Sequence, residues 1–173
     1  CGDGVLLEQA RQMGIDSFGS EMSEKLVGVV QERLGEDAII PGELVNLPAA
    51  SFDVIALINV IEHLREPAQV LVQSTRLLKP DGILLVHAPN MGGLPARFFG
   101  AGWHQIEPLG HFYYFNYQTL TLLFHRAGLQ SIGRFSLVVS KGTKAKFQRL
   151  MNRLGIYLDN GLGVVARRVS ENQ

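Results

Sequence analysis

The sequence predicts an α/β fold in which helices cover both faces of a largely parallel sheet. Short apolar runs alternate with amphipathic segments along the 173 residues, which is the order expected of strand–helix–strand units. Two of the runs, residues 52–58 and 83–86, are apolar almost without interruption. Such runs are typical of parallel strands that are covered on both faces.

The first third of the chain is predicted to hold two helices and two short strands. Apolar side chains recur at helical spacing through residues 5–13 and again through residues 24–34, which favours amphipathic helices. Ser23 stands immediately before the second helix, and serine is a favoured N-cap. The short segments at 16–19 and 38–40 are predicted to be strands.

The middle of the chain predicts a strand–helix–strand unit. Residues 52–58 form its first strand, and Pro67 stands where a helix often begins. Residues 79–82, with the sequence Lys-Pro-Asp-Gly, are expected to form a turn because turns favour these residue types. The second continuous strand follows at residues 83–86.

The remainder is predicted to hold a long loop, two helices and two strands. Residues 91–115 are rich in glycine and aromatic side chains, and a loop of that length in a compact domain is usually functional. Asn116 is expected to cap the helix that follows it. Strands are predicted at 132–139 and 162–169, with a helix at 144–154 between them.

Composition is that of an ordinary globular protein and argues against several classes of partner. Apolar residues make up 46% of the chain and charged residues 18%, and the 16 basic side chains are balanced by 16 acidic ones. A neutral chain gives no reason to expect nucleic acid or a membrane surface as a partner. Cys1 is the single cysteine, so no internal disulfide can form and a cytoplasmic location is expected.

A glycine-rich turn and a downstream acid predict a cofactor site. Gly2, Asp3 and Gly4 open directly into a helix, and such a turn lets backbone N–H groups approach a ligand. Glu21 follows a predicted strand, where an acid can accept both hydroxyls of a ribose. The alternatives are an ordinary turn and a surface acid favoured by the start of a helix.

Three histidines are candidate general bases. His63, His104 and His111 stand in predicted loops, and imidazole exchanges protons near neutral pH. His63 ranks first because its loop follows a strand, and α/β sheets bind ligands at the carboxyl ends of their strands. Each of the three can instead cap a turn or bond the backbone. His87 and His125 are assigned structural roles, and no metal site is predicted.

Taken in order, these motifs resemble those of class I S-adenosylmethionine (SAM) dependent methyltransferases, especially the group similar to the ubiquinone-biosynthesis O-methyltransferases. The resemblance runs over residues 1–139. It implies that the glycine turn cradles the methionine part of SAM and that Glu21 holds the ribose. The remaining cofactor contacts implied by the resemblance lie around the adenine, at Met22, Glu43 and Leu44.

Further segments resemble the same family. Residues 59–64, Asn-Val-Ile-Glu-His-Leu, resemble the loop after its fourth strand, which implies that Asn59 borders both cofactor and substrate. The other matches resemble the turn into the fifth strand and a substrate-side insertion, at 77–86, 103–105 and 111–115. The resemblance thus implies one Rossmann-like domain over residues 1–173 with an insertion at about 91–115.

The function that this resemblance implies is transfer of a methyl group from SAM to a small molecule. The resemblance to O-methyltransferases implies an oxygen acceptor, and a hydroxyl acceptor would need a base to take its proton. One alternative is a non-catalytic methyltransferase-like module that acts in binding or assembly. A nicotinamide-dependent dehydrogenase is disfavoured, because Leu7 stands where the dinucleotide-binding motif requires its third glycine.

In the family, a central strand precedes the glycine motif, and that strand is absent from this sequence. It would lie between the strands predicted at 16–19 and 52–58, so that two ladder edges are exposed without it. We expect a second copy of the chain to cover these edges in a homo-oligomer. The alternatives are direct pairing of the two neighbouring strands, or a further part of the same molecule.

Overall fold

The structure, a computed structural model, describes residues 1–42, 47–136, 146, 150–151 and 160–169. The chain divides into two compact units, Cys1–Leu47 and Pro48–Gln173. Strands and helices alternate along it, which confirms the predicted α/β class. None of the helices in the described ranges has the length and apolar character that a bilayer-spanning helix needs.

The unit Cys1–Leu47 contains a two-stranded parallel sheet and two helices. Its elements are helix α1 (Val5–Gln12), strand β1 (Gly19–Glu21), helix α2 (Glu24–Leu34) and strand β2 (Ile39–Pro41). Ser23 occupies the N-cap position of α2, as predicted. The buried apolar side chains of this unit form one cluster, made of Leu7, Val27, Val30, Ala38 and Ile39.

Both strands of this unit begin later than predicted, and the reason lies in their hydrogen bonds. Ahead of β1, the Arg11 guanidinium donates to the Ser17 carbonyl at 3.0 Å, and the Ser17 hydroxyl donates to the Ile15 carbonyl at 3.1 Å. These carbonyls are therefore bonded to side chains instead of a neighbouring strand. Ahead of β2, a 3-10 turn at Glu36–Ala38 takes up the first predicted residue of the strand.

The unit Pro48–Gln173 is built around a four-stranded mixed sheet of order β3-β4-β6-β5. Strand β3 runs parallel to β4, whereas β6 is antiparallel to both β4 and β5. The strands are β3 (Phe52–Ile58), β4 (Leu78–Pro89), β5 (Leu129–Phe135) and β6 (Gly161–Arg168). The helices are α3 (Pro67–Leu77), α4 (Leu94–Phe99) and α5 (Tyr117–Arg126).

Helices α3 and α5 pack apolar side chains against this sheet. Leu71, Leu120 and Phe124 belong to the same buried cluster as Leu84 and Val164 of the strands. Helix α5 begins where predicted. The Asn116 side chain accepts from the Thr119 N–H at 2.9 Å, and the Thr119 hydroxyl accepts from the Asn116 N–H at 3.0 Å, which satisfies two amides at the helix start.

Strand β3 has the predicted bounds, but it is not covered on both faces. Val54 is 50% exposed, and Asp53 and Ala56 are exposed as well. Among the described strands, β3 bonds only to β4, so it forms one edge of the four-stranded sheet. The apolar run therefore predicted the strand correctly and its burial incorrectly.

The turn predicted at 79–82 lies within β4 instead. Phe52 pairs with Leu78 and Val54 pairs with Ile83, so the extra residues between them form a bulge. A Cβ on Gly82 would lie 2.8 Å from the Phe52 carbonyl oxygen, which explains the glycine. The Lys79 ammonium also bonds the Asp53 carboxylate across the strands at 2.7 Å.

The remaining elements differ modestly from expectation. The predicted loop at 91–115 contains helix α4 and a 3-10 turn at Gly100–Gly102. Strand β5 begins three residues before its predicted start at 132 and its described part ends at Phe135, while residues 137–139 lie outside the described residues. Most of the helix predicted at 144–154 also lies outside them.

Candidate functional site

In the unit Cys1–Leu47, Glu21 accepts hydrogen bonds from three backbone amides and from the Cys1 amino group. Its Oε2 accepts from the Gly2 N–H at 2.9 Å and from the Cys1 nitrogen at 2.8 Å. Its Oε1 accepts from the N–H groups of Met22 and Ser23, both at 3.0 Å. The glycine turn and the end of β1 are thereby joined through one carboxylate, so the two motifs that the sequence assigned to the cofactor lie next to each other.

The same contacts decide the charge of Glu21. Burial acts to raise the pKa of its carboxyl group, but hydrogen bonds from the Cys1 nitrogen and from the Ser23 and Gly2 amides outweigh burial and lower the pKa to about 2. The side chain is therefore ionised throughout the neutral range. A fixed, ionised acceptor at the carboxyl end of a parallel strand suits a ligand that presents hydroxyl groups.

The glycines of the turn differ in what they permit. Gly2 has φ of 62° and Gly4 has φ of 78°, a left-handed conformation that glycine adopts without strain. A Cβ on Gly4 would meet Val30 at 3.0 Å, whereas a Cβ on Gly2 would have no described atom within 4 Å. Gly4 therefore packs against α2, and Gly2 leaves space in which a ligand can approach the backbone.

The other predicted cofactor residues do not join the contacts of Glu21 as far as the structure describes them. Asp3 is exposed, and its Oδ1 accepts from the Val5 N–H at 3.4 Å, at the start of α1. Met22 is 70% exposed. Glu43 and Leu44 lie outside the described residues. Asn59 belongs to the unit Pro48–Gln173.

A cavity of about 250 Å³ lies within the unit Pro48–Gln173. Its lining comes from the carboxyl ends of the parallel strands β3 and β4, where ligands bind in α/β sheets, and from the start of β6 and the 91–115 segment. The polar side chains that matter most here are Asn59, Glu62, His63, His87, Gln105 and His111.

Two of the three predicted bases meet in this cavity. His63 Nδ1 bonds the Gly110 carbonyl at 2.7 Å and His111 Nδ1 bonds the Gln105 carbonyl at 3.0 Å. Because a carbonyl only accepts, each Nδ1 carries its proton, and in the neutral ring Nε2 keeps its lone pair. The ring centroids of His63 and His111 are 4.7 Å apart in an edge-to-face arrangement.

Glu62 was missed by sequence reasoning and is the most unusual side chain of the cavity. It is 1% exposed, and its Oε2 has no hydrogen-bond partner among the described residues. Burial raises the pKa of Glu62, although its own amide and the nearby charges of His63 and His111 act to lower the pKa. The available signal was its position directly before His63 in a loop after a strand.

Glu62 also ties its turn to the 91–115 segment. Its backbone carbonyl accepts from the Phe112 N–H at 2.8 Å and from the Tyr113 N–H at 3.3 Å. One ligand atom from each of Glu62, His63 and His111 lies within 4.8 Å of the other two. A carboxylate and two imidazoles are a set that can hold a divalent metal ion such as zinc, although the sequence predicted none.

The remaining candidates are separated from this cluster. His104 is exposed and does not line the cavity, so the structure does not bring it to the other two predicted bases. His87, to which the sequence assigned a structural role, does line it. Of the aromatic side chains in this segment, Phe115 packs in the sheet core and Tyr113 lines a second cavity beside α5.

Comparison with known proteins gives a family. A sequence family described as a methyltransferase domain matches residues 1–132. The ubiquinone biosynthesis O-methyltransferase of Methylococcus capsulatus is 33% identical over 97 residues, which cover 52% of this chain and 41% of that relative. The chain therefore spans about two fifths of that relative's length.

Comparison with solved structures gives the fold. A SAM-dependent methyltransferase from Archaeoglobus fulgidus aligns with a TM-score of 0.69 at 16% identity, over 97% of this chain and 83% of its own. A putative methyltransferase in complex with the Trm112 methyltransferase activator of Haloferax volcanii aligns with a TM-score of 0.70 at 18% identity, over 99% of this chain and 80% of its own. These similarities confirm the Rossmann-like methyltransferase fold.

Proposed function

This chain belongs to the methyltransferase domain family, and we propose that it transfers a methyl group from SAM to a hydroxyl of a small molecule. The observation that carries the proposal is the cavity at the carboxyl ends of β3 and β4, where His63, His111 and Glu62 lie together. Methyl transfer to a hydroxyl needs a positioned acceptor and a group that takes its proton.

SAM is the cofactor that the family and its solved neighbours imply. When bound, it supplies a methyl group made electrophilic by a sulfonium sulfur. Glu21 suits the ribose because it is ionised and fixed, and the open side of Gly2 suits close approach of the amino-acid part. Both residues also contact each other directly, so one conformation of the turn serves both contacts.

The proton of the acceptor hydroxyl passes to Nε2 of His63 or His111. Both rings hold a proton on Nδ1 through a backbone carbonyl, which leaves Nε2 as the accepting nitrogen. The imidazolium so formed is stabilised by the Glu62 carboxylate, whose Oε2 has no hydrogen-bond partner among the described residues. Glu62 thus favours proton uptake by a neighbouring ring.

The experiment is a methyl-transfer assay with radiolabelled SAM and a matched panel of phenols, amines and thiols. We expect label in the phenols, and transfer only to amines or thiols would contradict the oxygen acceptor. Calorimetric titration with S-adenosylhomocysteine in parallel identifies the alternative function. Product binding without transfer to any acceptor would identify a non-catalytic binding module.

A chelator separates the two roles open to Glu62, His63 and His111. If the imidazoles act as bases, dialysis against EDTA leaves methyl transfer unchanged. If the cluster instead holds a metal ion that activates the acceptor, transfer is lost and returns on adding a divalent cation. We propose the first role. The Nδ1–carbonyl bonds leave the Nε2 lone pair available for either role, so the chelator result decides between them.

We further propose that the chain binds a protein partner or a second copy of itself, and that it is cytoplasmic. The Haloferax volcanii neighbour is bound to an activator protein, so a protein partner is one occupant to test. The other partner to test is a second copy of this chain, bound at the exposed edge of β3. Light scattering at micromolar concentration should then give twice the monomer mass. A single mass of 19.1 kDa would contradict the homo-oligomer. The single cysteine, Cys1, still favours a cytoplasmic location.

A further inference from the structure

Asn59 contacts His87 at two points, one on the backbone and one on the imidazole ring. The Asn59 N–H donates to the His87 carbonyl at 2.8 Å, and Asn59 Oδ1 lies 2.9 Å from His87 Nδ1. Asn59 has φ of 52°, and asparagine is one of the few non-glycine residues that adopt this left-handed conformation readily. The bend after β3 therefore places the Asn59 side chain against the ring of His87.

The opposite edge of the same ring packs against Gly161, where the lack of a side chain leaves space for it. A Cβ on Gly161 would lie 2.2 Å from His87 Nε2 and 2.8 Å from Cε1. The φ of Gly161 is not positive, so close approach of the imidazole explains the glycine and backbone conformation does not. Any larger residue at this first position of β6 would have to displace the His87 ring.

These three residues and the three of the base cluster line one cavity. Asn59 and Gly161 fix the ring of His87 from two sides, and His87 in turn forms part of the wall that an acceptor in this cavity must meet. A ring held in this way restricts the shape of the molecules that fit, because both of its edges are constrained.

We propose that His87 contacts the methyl acceptor and determines which acceptors fit, with Asn59 and Gly161 as the residues that position its ring. The proposal rests on the proposed function, because it takes the acceptor to bind in this cavity. It assigns Asn59 a positioning role toward His87. It also assigns a role to Gly161, which no motif of the sequence marked.

The test compares acceptor selectivity in three variants. Gly161→Ala displaces the ring, and Asn59→Gly keeps the left-handed backbone while removing the side-chain bond. Gly133→Ala is the matched control, because a Cβ there would have no described atom within 4 Å. Each is assayed with a series of para-substituted phenols of increasing size, and S-adenosylhomocysteine affinity is measured for each.

We expect Gly161→Ala and Asn59→Gly to raise the KM for acceptors roughly tenfold and to change the order of kcat/KM across the phenol series. Gly161→Ala, which lies outside the predicted cofactor contacts, should leave cofactor-product affinity unchanged. Gly133→Ala should match the unsubstituted protein. An unchanged order, with all phenols weakened equally, would show a purely structural role and overturn the inference. If the unsubstituted protein methylates no phenol, the proposed function fails first and the inference falls with it.

Discussion

The glycine turn with Glu21 and the cavity with Glu62 use a carboxylate in opposite ways. Glu21 accepts hydrogen bonds on both oxygens, chiefly from backbone amides, and its pKa is lowered to about 2. Glu62 is more deeply buried, one of its oxygens lacks a described partner, and its pKa is raised. A satisfied, permanently charged group suits binding, whereas a buried, incompletely satisfied group is typical of sites that handle protons.

This contrast predicts that the histidines beside Glu62 carry the largest effect on turnover. Replacing both His63 and His111 by glutamine should lower kcat for a hydroxyl acceptor by about 100-fold or more, since general base catalysis contributes roughly 10²–10⁴-fold. Affinity for S-adenosylhomocysteine should be unchanged. The measurement is a methyl-transfer rate at saturating SAM.

Two matched controls accompany the double variant. His125→Gln changes an exposed histidine of α5, and His104→Gln changes the predicted base that lies outside the cavity. Both should keep at least half of the rate. If His104→Gln lowers the methyl-transfer rate more than the double variant does, the base is not in the cavity. The proposed catalytic role of the cavity beside Glu62 would then be wrong.

The proposed role of Glu21 in cofactor binding is tested by substitution. Hydrogen bonds to a charged group are worth about 1.5–3 kcal/mol each, and about 1.4 kcal/mol is tenfold in affinity. Glu21→Gln should therefore weaken S-adenosylhomocysteine binding by roughly 10- to 100-fold while kcat at saturating SAM changes little. Glu24→Gln, the same charge change at an exposed position of α2, is the control. Equal affinity in both variants would remove Glu21 from the cofactor site.

The Glu62 carboxylate gives a stability prediction with a definite sign. Its pKa is raised in the folded state from the ordinary value of 4.5, so folding favours its protonated form. That favourable contribution is present below pH 4.5 and is lost as the pH rises through the folded-state pKa. Glu62→Gln, which stays neutral, should therefore match the unsubstituted protein in Tm near pH 4 and exceed it near pH 8.

Thermal unfolding at the two pH values measures this difference. A difference of about 1 kcal/mol moves Tm by roughly 2–4 °C for a chain of this size. Glu32→Gln serves as the control, because Glu32 is an exposed carboxylate on α2 and the residue change is the same. A Tm gain that is equally large at pH 4 and pH 8 would mean that packing, and not the buried charge, explains the effect.

The sequence predicted more of the first site than of the second, for a physical reason. Gly2 and Gly4 belong to one short turn before a helix, and Glu21 follows a strand, so each motif was marked by its own local sequence pattern. The cavity joins Glu62 to His111 and Asn59 to His87, which are distant in sequence. Composition and periodicity carry no information about which loops meet, so Glu62 and His87 were missed.

The elements follow the same rule. Helix α5 was predicted correctly because its signal, the Asn116 cap, acts within one turn. The burial of β3 was predicted incorrectly because the apolar run reports which residues can be covered, and not what covers them. The bulge at Gly82 was read as a turn because proline, aspartate and glycine favour both, and only the pairing of Phe52 with Leu78 distinguishes the two.

The smallest expected effect lies at the Asn116 cap and separates folding from chemistry. Asn116→Ala removes the acceptor of the Thr119 amide and should cost about 1 kcal/mol of stability. Denaturant unfolding measures that loss, with Gln118→Ala on the exposed side of the same helix as control. Because Asn116 lines neither carboxylate site, methyl transfer below the unfolding transition should be unchanged. A loss of transfer in the folded variant would mean that the position of α5 affects the cavity. The rate losses measured at His63 and His111 would then have to be separated from displacement of the cavity walls.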